Sequence, residues 1–221
     1  MEVPLVLPSG IRELRLSSCS ITDEALAICL RGLTSLTKSF PSLSIGHLTS
    51  LESLYLHHLP DLCSIEGLSS WQIDDLSLID VPNLTAKCIS QFRVQKWLTV
   101  SSFVLLNQML KAEGFIVPPN IALCDCKEPP ASFGECANLL SVKHLYFPDC
   151  KMESLPGNLK LLSSLESLDI CNCPNITSLP VLPSSLQRIN IYGCDDLKKN
   201  CREPDGESWS QISHIRWKRF V

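Results

Sequence analysis

An α/β repeat solenoid with one parallel sheet is the fold this sequence predicts, and three observations predict it. Leu165, Leu168, Ile170, Cys173 and Ile176 are followed by Leu186, Ile189, Ile191, Cys194 and Leu197, the same spacing displaced by twenty-one positions (186 minus 165). A period in the twenties marks stacked coils. The unit behind it, LxxLxLxxC, recurs along the chain. Between its copies lie short helical patterns and proline-interrupted stretches, which return the chain to the start of the next strand. One such unit cannot bury its own apolar face, so stacking has to create the core.

The first clear copy is IRELRLSSC, with Ile11, Leu14, Leu16 and Cys19. It starts soon after Met1 with no polar capping unit ahead of it, which predicts an open first edge to the stack. TDEALAICLRG follows. Its capping Thr22 or Asp23, spaced apolar residues and terminal Gly32 predict a short helix. The next copies are LESLYLHHL from Leu51 and IDDLSLIDV from Ile73. The pattern then fades, with weaker copies around Leu98 and Val100 and around Ile121 and Leu123, and the path of residues 85–137 is left open. Within that stretch LLNQMLKAEG, ending at Gly114, predicts a second helix. Regularity returns with VKHLYFPDC from Val142, LESLDICNC from Leu165 and LQRINIYGC from Leu186. In the late returns LPGNLKLL and LPVLPSSL, Pro156, Pro180 and Pro183 predict extended or turn-like chain. The expectation is a single domain over residues 1–221 of about eight irregular units, closed by a cap over 198–221.

Within a unit the LxL pair points inward from a short strand, while the first Leu and the Cys position fill the turns at its two ends. A thiol suits the second turn because it is small and can donate weakly where backbone groups would otherwise go unpaired. Cys19, Cys126, Cys150, Cys173 and Cys194 each lie three residues after an apolar strand position, so the repeat accounts for much of the count of twelve cysteines. The pairs CDC (Cys124, Cys126) and CNC (Cys171, Cys173) could look like metal ligands, but their spacing is that of the repeat and not of CxxC knuckles. Structural, unmetallated thiols are expected, with no cofactor.

Charged residues make up 19% of the chain and apolar ones 45%. The net charge of -4 argues against a nucleic-acid binder. The start, MEVPLVLPSG, lacks the basic and apolar regions of an export signal, and no run approaches the roughly 20 residues that a membrane span requires. A soluble chain with reduced thiols is expected. None of His47, His57, His58, His144 and His214 sits in a nucleophile elbow or a metal-binding spacing, so no enzyme is expected. Near the C-terminus basic and acidic residues interleave, which predicts a solvated cap and not a phosphate or membrane patch.

Residues flanking the LxL pair point away from the core, onto the concave side expected of a curved, right-handed stack. The candidate partner-binding residues are Tyr55, His57, Trp97, His144, Tyr146, Asp169, Arg188 and Tyr192, with Glu13, Arg15, Asp75, Ser77, Thr99 and Asn190 beside them. Tyr, Trp and Arg are enriched at binding hot spots, although aromatics favour strands in any case.

These residues resemble a family. The chain is similar throughout to the leucine-rich-repeat region at the C-terminal end of plant intracellular immune receptors of the nucleotide-binding type. The likeness is strongest from SLPGNLKLL through LPSSL to the closing CREPDGESW and HIRW, which look like the end of the cereal receptors. The resemblance implies a leucine-rich-repeat solenoid with a parallel sheet on its concave face and mostly irregular convex returns carrying short helices. It also implies a cytoplasmic defence role and a protein partner, either a pathogen effector or a host protein, with the receptor's own nucleotide-binding domain as a partner in cis. No GxxxxGK[ST] loop occurs in the sequence, so nucleotide binding is not carried over and that domain is expected to be absent. The alternative is the substrate-recognition repeat domain of an F-box ubiquitin-ligase adaptor, whose cysteine-containing repeats LSSCSITDEALAICL resembles. That family keeps more regular helical returns.

Overall fold

The computed structural model describes residues 10–17, 42–46, 48–67, 72–127, 133 and 137–221. The helix expected over TDEALAICLRG, the first ladder cysteine Cys19, and the residues before Gly10 lie outside them. Nine strands form one parallel sheet, in the spatial order β1 (Glu13–Ser17), β3 (Ser53–His57), β5 (Ile73–Ile79), β6 (Val94–Val100), β7 (Asn120–Leu123), β8 (His144–Pro148), β9 (Ser167–Cys171), β10 (Arg188–Tyr192) and β11 (Trp217–Phe220). This is an α/β repeat solenoid with each strand beside its counterpart in the next coil. Among the described residues two further strands, β2 (Ser42–Ser44) and β4 (Ser64–Glu66), pair with each other in a small second sheet. Its outer margin is closed by Gly46 and Gly67. A Cβ on Gly67, which has φ +91°, would lie 2.3 Å from the Gly46 Cα, so this approach needs glycine.

The register follows the repeat. Leu14, Leu54, Leu76, Leu98, Ile121, Leu145, Leu168 and Ile189 lie side by side across eight strands, all buried. Leu16, Leu56, Leu78, Val100, Leu123, Phe147, Ile170 and Ile191 form the second inward row and are buried too. The faded centre of the sequence pattern is thus no gap in the sheet, since β6 and β7 pair in full register. Val100 and Ile121 stand where the consensus has leucine, so β-branched residues keep the strand period while departing from it.

A backbone device ends the strands. His58, Asp80, Asp125, Asp149, Asn172 and Gly193 follow β3, β5, β7, β8, β9 and β10, and all have φ between 47° and 61°. This left-handed turn favours Asn, Asp and Gly. It aims the residue's N–H at the next coil: Asp149 donates to the Cys171 carbonyl and Asn172 to the Tyr192 carbonyl, both at 2.8 Å. Behind the turn sits the cysteine ladder. Cys150 Sγ donates to the Leu123 carbonyl at 3.1 Å and Cys173 Sγ to the Phe147 carbonyl at 3.2 Å, while the Cys173 N–H donates to Cys194 Sγ at 3.2 Å. The buried thiols therefore satisfy backbone groups that the bend would leave unpaired.

The returns are short and varied. Helix α1 (Ala86–Ile89) is a single turn, whereas α2 (Phe103–Lys111) is capped by the Ser102 side chain and buries Phe103, Leu105, Leu106 and Met109. Gly114, at φ +74°, follows the end of α2. Among the described residues the later returns hold 3-10 turns at Ala137–Ser141 and Leu159–Leu161, and residues 180–183 form neither helix nor strand. Asparagines tie these returns together: Asn175 Nδ2 donates to the Lys151 carbonyl at 2.7 Å and Asn200 Nδ2 to that of Thr177 at 2.9 Å.

The closing segment carries α3 (Asp195–Asn200), α4 (Trp209–Ile212) and then β11, a further parallel strand. Lys218 stands where the other strands bury Leu or Ile. Its Nζ lies 5.1 Å from the Trp209 ring centroid and donates to the Ile215 and Ser213 carbonyls.

Candidate recognition face

Strand alternation leaves three rows of side chains on the solvent side of the sheet. The first row runs Glu13, Ser53, Asp75, Trp97, Asn120, His144, Ser167, Arg188 and Trp217. The second runs Arg15, Tyr55, Ser77, Thr99, Ala122, Tyr146, Asp169, Asn190 and Arg219, again one residue per strand. The third includes His57 at one end and Pro148, Cys171 and Tyr192 at the other. All eight candidate residues therefore stand on this one face, but in two groups. Tyr55 and His57 lie on β3, while His144, Tyr146, Asp169, Arg188 and Tyr192 lie across β8 to β10, with Trp97 reaching them from β6.

In the first group Arg15, which is also paired with Glu13, stacks 4.0 Å from the Tyr55 ring centroid. The Tyr55 and His57 rings meet edge to face at 6.3 Å. His57 Nε2 is 2.8 Å from Ser77 Oγ. That Ser–His contact is no open nucleophile, because Ser77 is only 3% exposed and the imidazole serves to satisfy a buried hydroxyl. Burial, with His58 and Arg15 nearby, lowers the His57 pKa and so disfavours the charged ring.

The second group is a connected network. Trp97 packs edge to face on His144 at 5.2 Å, His144 Nε2 donates to Asp169 Oδ2 at 2.6 Å, and Asn190 Nδ2 donates to Asp169 Oδ1. Burial pushes the Asp169 carboxyl up, but the bonds from His144 and Asn190 and the fields of His144 and Arg188 outweigh it and hold its pKa below the usual value. Asp169 is therefore a tied charge. Next to it the Tyr146 hydroxyl is pushed up to about 12 by burial and by its hydrogen-bonded neighbour Cys171, so it remains protonated. Tyr146, Asp169, Cys171, Tyr192 and Arg219 line a shallow hollow of about 320 Å³. Arg188 and Tyr192 are exposed, and the other six candidates are partly covered by neighbours.

Trp217, 56% exposed, and Arg219 also stand on this face and were not among the candidates. Ile215, Lys218 and Phe220 repeat the IxxLxL spacing with a lysine at the central position, and that spacing was the available signal. Among the described residues no group of three His, Cys, Asp or Glu is placed to hold a metal ion, and no helix is long and apolar enough to cross a membrane.

No family model and no solved structure matches the chain. Curated proteins do. The chain is 24% identical to disease resistance protein RPS4B of Arabidopsis thaliana, over 93% of this chain and 18% of that protein. With TMV resistance protein N of Nicotiana glutinosa the identity is 26%, over 83% of this chain and 16% of that protein. With disease resistance-like protein DSC1 of Arabidopsis thaliana it is 25%, over 61% of this chain and 11% of that protein. The chain thus spans less than a fifth of the length of these relatives, and over most of its own length it is similar to plant disease resistance proteins.

Proposed function

We propose that the chain is the protein-recognition module of a plant intracellular immune receptor, a leucine-rich-repeat domain that senses a ligand or restrains an attached switch. The observation that carries this reading is the solvent face of the sheet, where aromatic and charged side chains from successive strands are pinned by cross-strand bonds. Pinned side chains lose little entropy when a partner docks. The similarity to resistance proteins supplies the defence setting. On this reading the chain works in the cytoplasm, acts by binding and not by catalysis, and is a single repeat domain closed by residues 198–221. The partner is a pathogen protein, a host protein, or another domain of the same receptor. The cereal character of the closing CREPDGESW segment belongs to the same proposal.

Site-specific photo-crosslinking tests it. A benzophenone amino acid at Tyr146 should crosslink a protein partner in leaf cells, and the same group at Leu161, exposed on a return, should not. Crosslinks from Leu161 with none from Tyr146 would move recognition off the sheet.

A further inference from the structure

Toward β11 the solvent face becomes cationic. Arg188 and Arg219 are exposed, and neither has a carboxylate within ion-pair distance among the described residues. Asp169, the carboxylate on the face between them and β8, already has both oxygens engaged, by His144 and Asn190. Trp217 stands beside Arg188 in the register and is 56% exposed, and Tyr192, 53% exposed, stands at the far end of β10.

Building on the recognition reading above, we propose that this end of the sheet binds an extended acidic segment of a partner protein, with carboxylates at alternate residues. Arg188 and Arg219 lie on adjacent strands two register steps apart. A strand separation of about 4.8 Å and two rises of about 3.3 Å put their Cα atoms roughly 8 Å apart. An extended peptide projects alternate side chains to one side about 6.8 Å apart, so two carboxylates of one segment reach the two guanidiniums. The planar guanidinium fork takes a carboxylate through two parallel hydrogen bonds. Trp217 and Tyr192 then cover the apolar stems of the segment.

Arginines with aromatics would also suit a single-stranded nucleic acid. The margin of the face opposes that partner: Asp80, Asp125 and Asp149 are exposed in the turns that follow β5, β7 and β8, and the chain carries a net charge of -4. A long polyanion meets those carboxylates, whereas a short acidic segment across β10 and β11 does not.

The test is fluorescence anisotropy with a labelled decapeptide of alternating Glu and Thr, its Gln-for-Glu counterpart and an oligothymidine strand. The Glu peptide should bind at least about tenfold tighter than the Gln peptide, and Arg188→Gln with Arg219→Gln should remove that difference without lowering the melting temperature. No binding of the Glu peptide, equal binding of the two peptides, unchanged affinity in the double variant, or tighter binding of oligothymidine would each overturn the assignment. If the acidic peptide fails while Tyr192→Ala still weakens a crosslinked protein partner, the acidic preference alone falls and the recognition reading stands.

Discussion

Leu168 and Tyr146 occupy neighbouring strands and have opposite roles. Leu168 is fully buried in the inward row, so Leu168→Ala opens a cavity and should cost about 2–5 kcal/mol of stability in chemical denaturation. Tyr146 is on the solvent face, and Tyr146→Ala should cost about 1 kcal/mol or less. Similar losses for the two variants would mean that the face is part of the core. The network around Asp169 adds a pH signature. Its carboxyl pKa is depressed in the fold, so its contribution is present above the unfolded value of about 3.9 and is lost as pH falls through the lower folded value. Asp169→Asn should therefore flatten the acid limb of a stability-against-pH curve below about pH 4. An acid limb unchanged by the substitution would show the network to be energetically idle. Sequence alternation was enough to place all eight candidates on one face, because period 2 fixes direction. It could not show that both Asp169 oxygens are hydrogen-bonded by neighbours, since that depends on which residues stand opposite across twenty or more positions.

At the level of the strand and its turn, the motif is longer than LxxLxLxxC. Asp125, Asp149, Asn172 and Gly193 each precede a ladder cysteine, and the left-handed turn explains why Asp, Asn or Gly stands there. The signal is present in CDC, PDC, CNC and YGC, where Asp, Asn or Gly stands immediately before the ladder cysteine. Gly193→Ala should cost about 1–2 kcal/mol, because φ is +61° and a Cβ would lie 2.4 Å from Asn172 Oδ1. An alanine variant as stable as the parent would mean that the turn relaxes. The ladder itself should be chemically quiet. Hydrogen bonding between thiols of adjacent coils, with burial, pushes Cys150 and Cys173 up to about 12, and burial pushes Cys201 up to about 11. Their share of the stability is present below the unfolded thiol value of about 8.5 and is lost as pH rises through the folded values. At neutral pH mass spectrometry should find these three cysteines unmodified by iodoacetamide until denaturant is added, and rapid native alkylation of Cys173 would contradict the burial.

Across the whole molecule, nine strands make eight steps of about 4.8 Å, so the sheet presents a face about 38 Å wide. Each coil touches its neighbours, and this explains how irregular returns coexist with a regular sheet: a return need only span one coil and cover the core behind it. The helix at Phe103–Lys111 was legible from its spacing and from Gly114, and the lack of α-helix in the returns at residues 155–162 and 179–186 from their prolines. The small sheet of β2 and β4 was not, because three-residue strands carry too little pattern to stand out. Strand β11 was hidden by Lys218 at a core position, where an end coil needs a polar head on an apolar stem. The central claim is that the solvent face of this sheet holds the partner. The most direct measurement is the affinity of a crosslink-identified partner for Tyr146→Ala, Tyr192→Ala and Leu161→Ala, by calorimetry. The account predicts that each tyrosine variant weakens binding by about 2 kcal/mol or more, on the order of thirtyfold, while Leu161→Ala leaves it unchanged. Full affinity in both tyrosine variants, with a loss at Leu161, would place recognition on the returns and contradict the account.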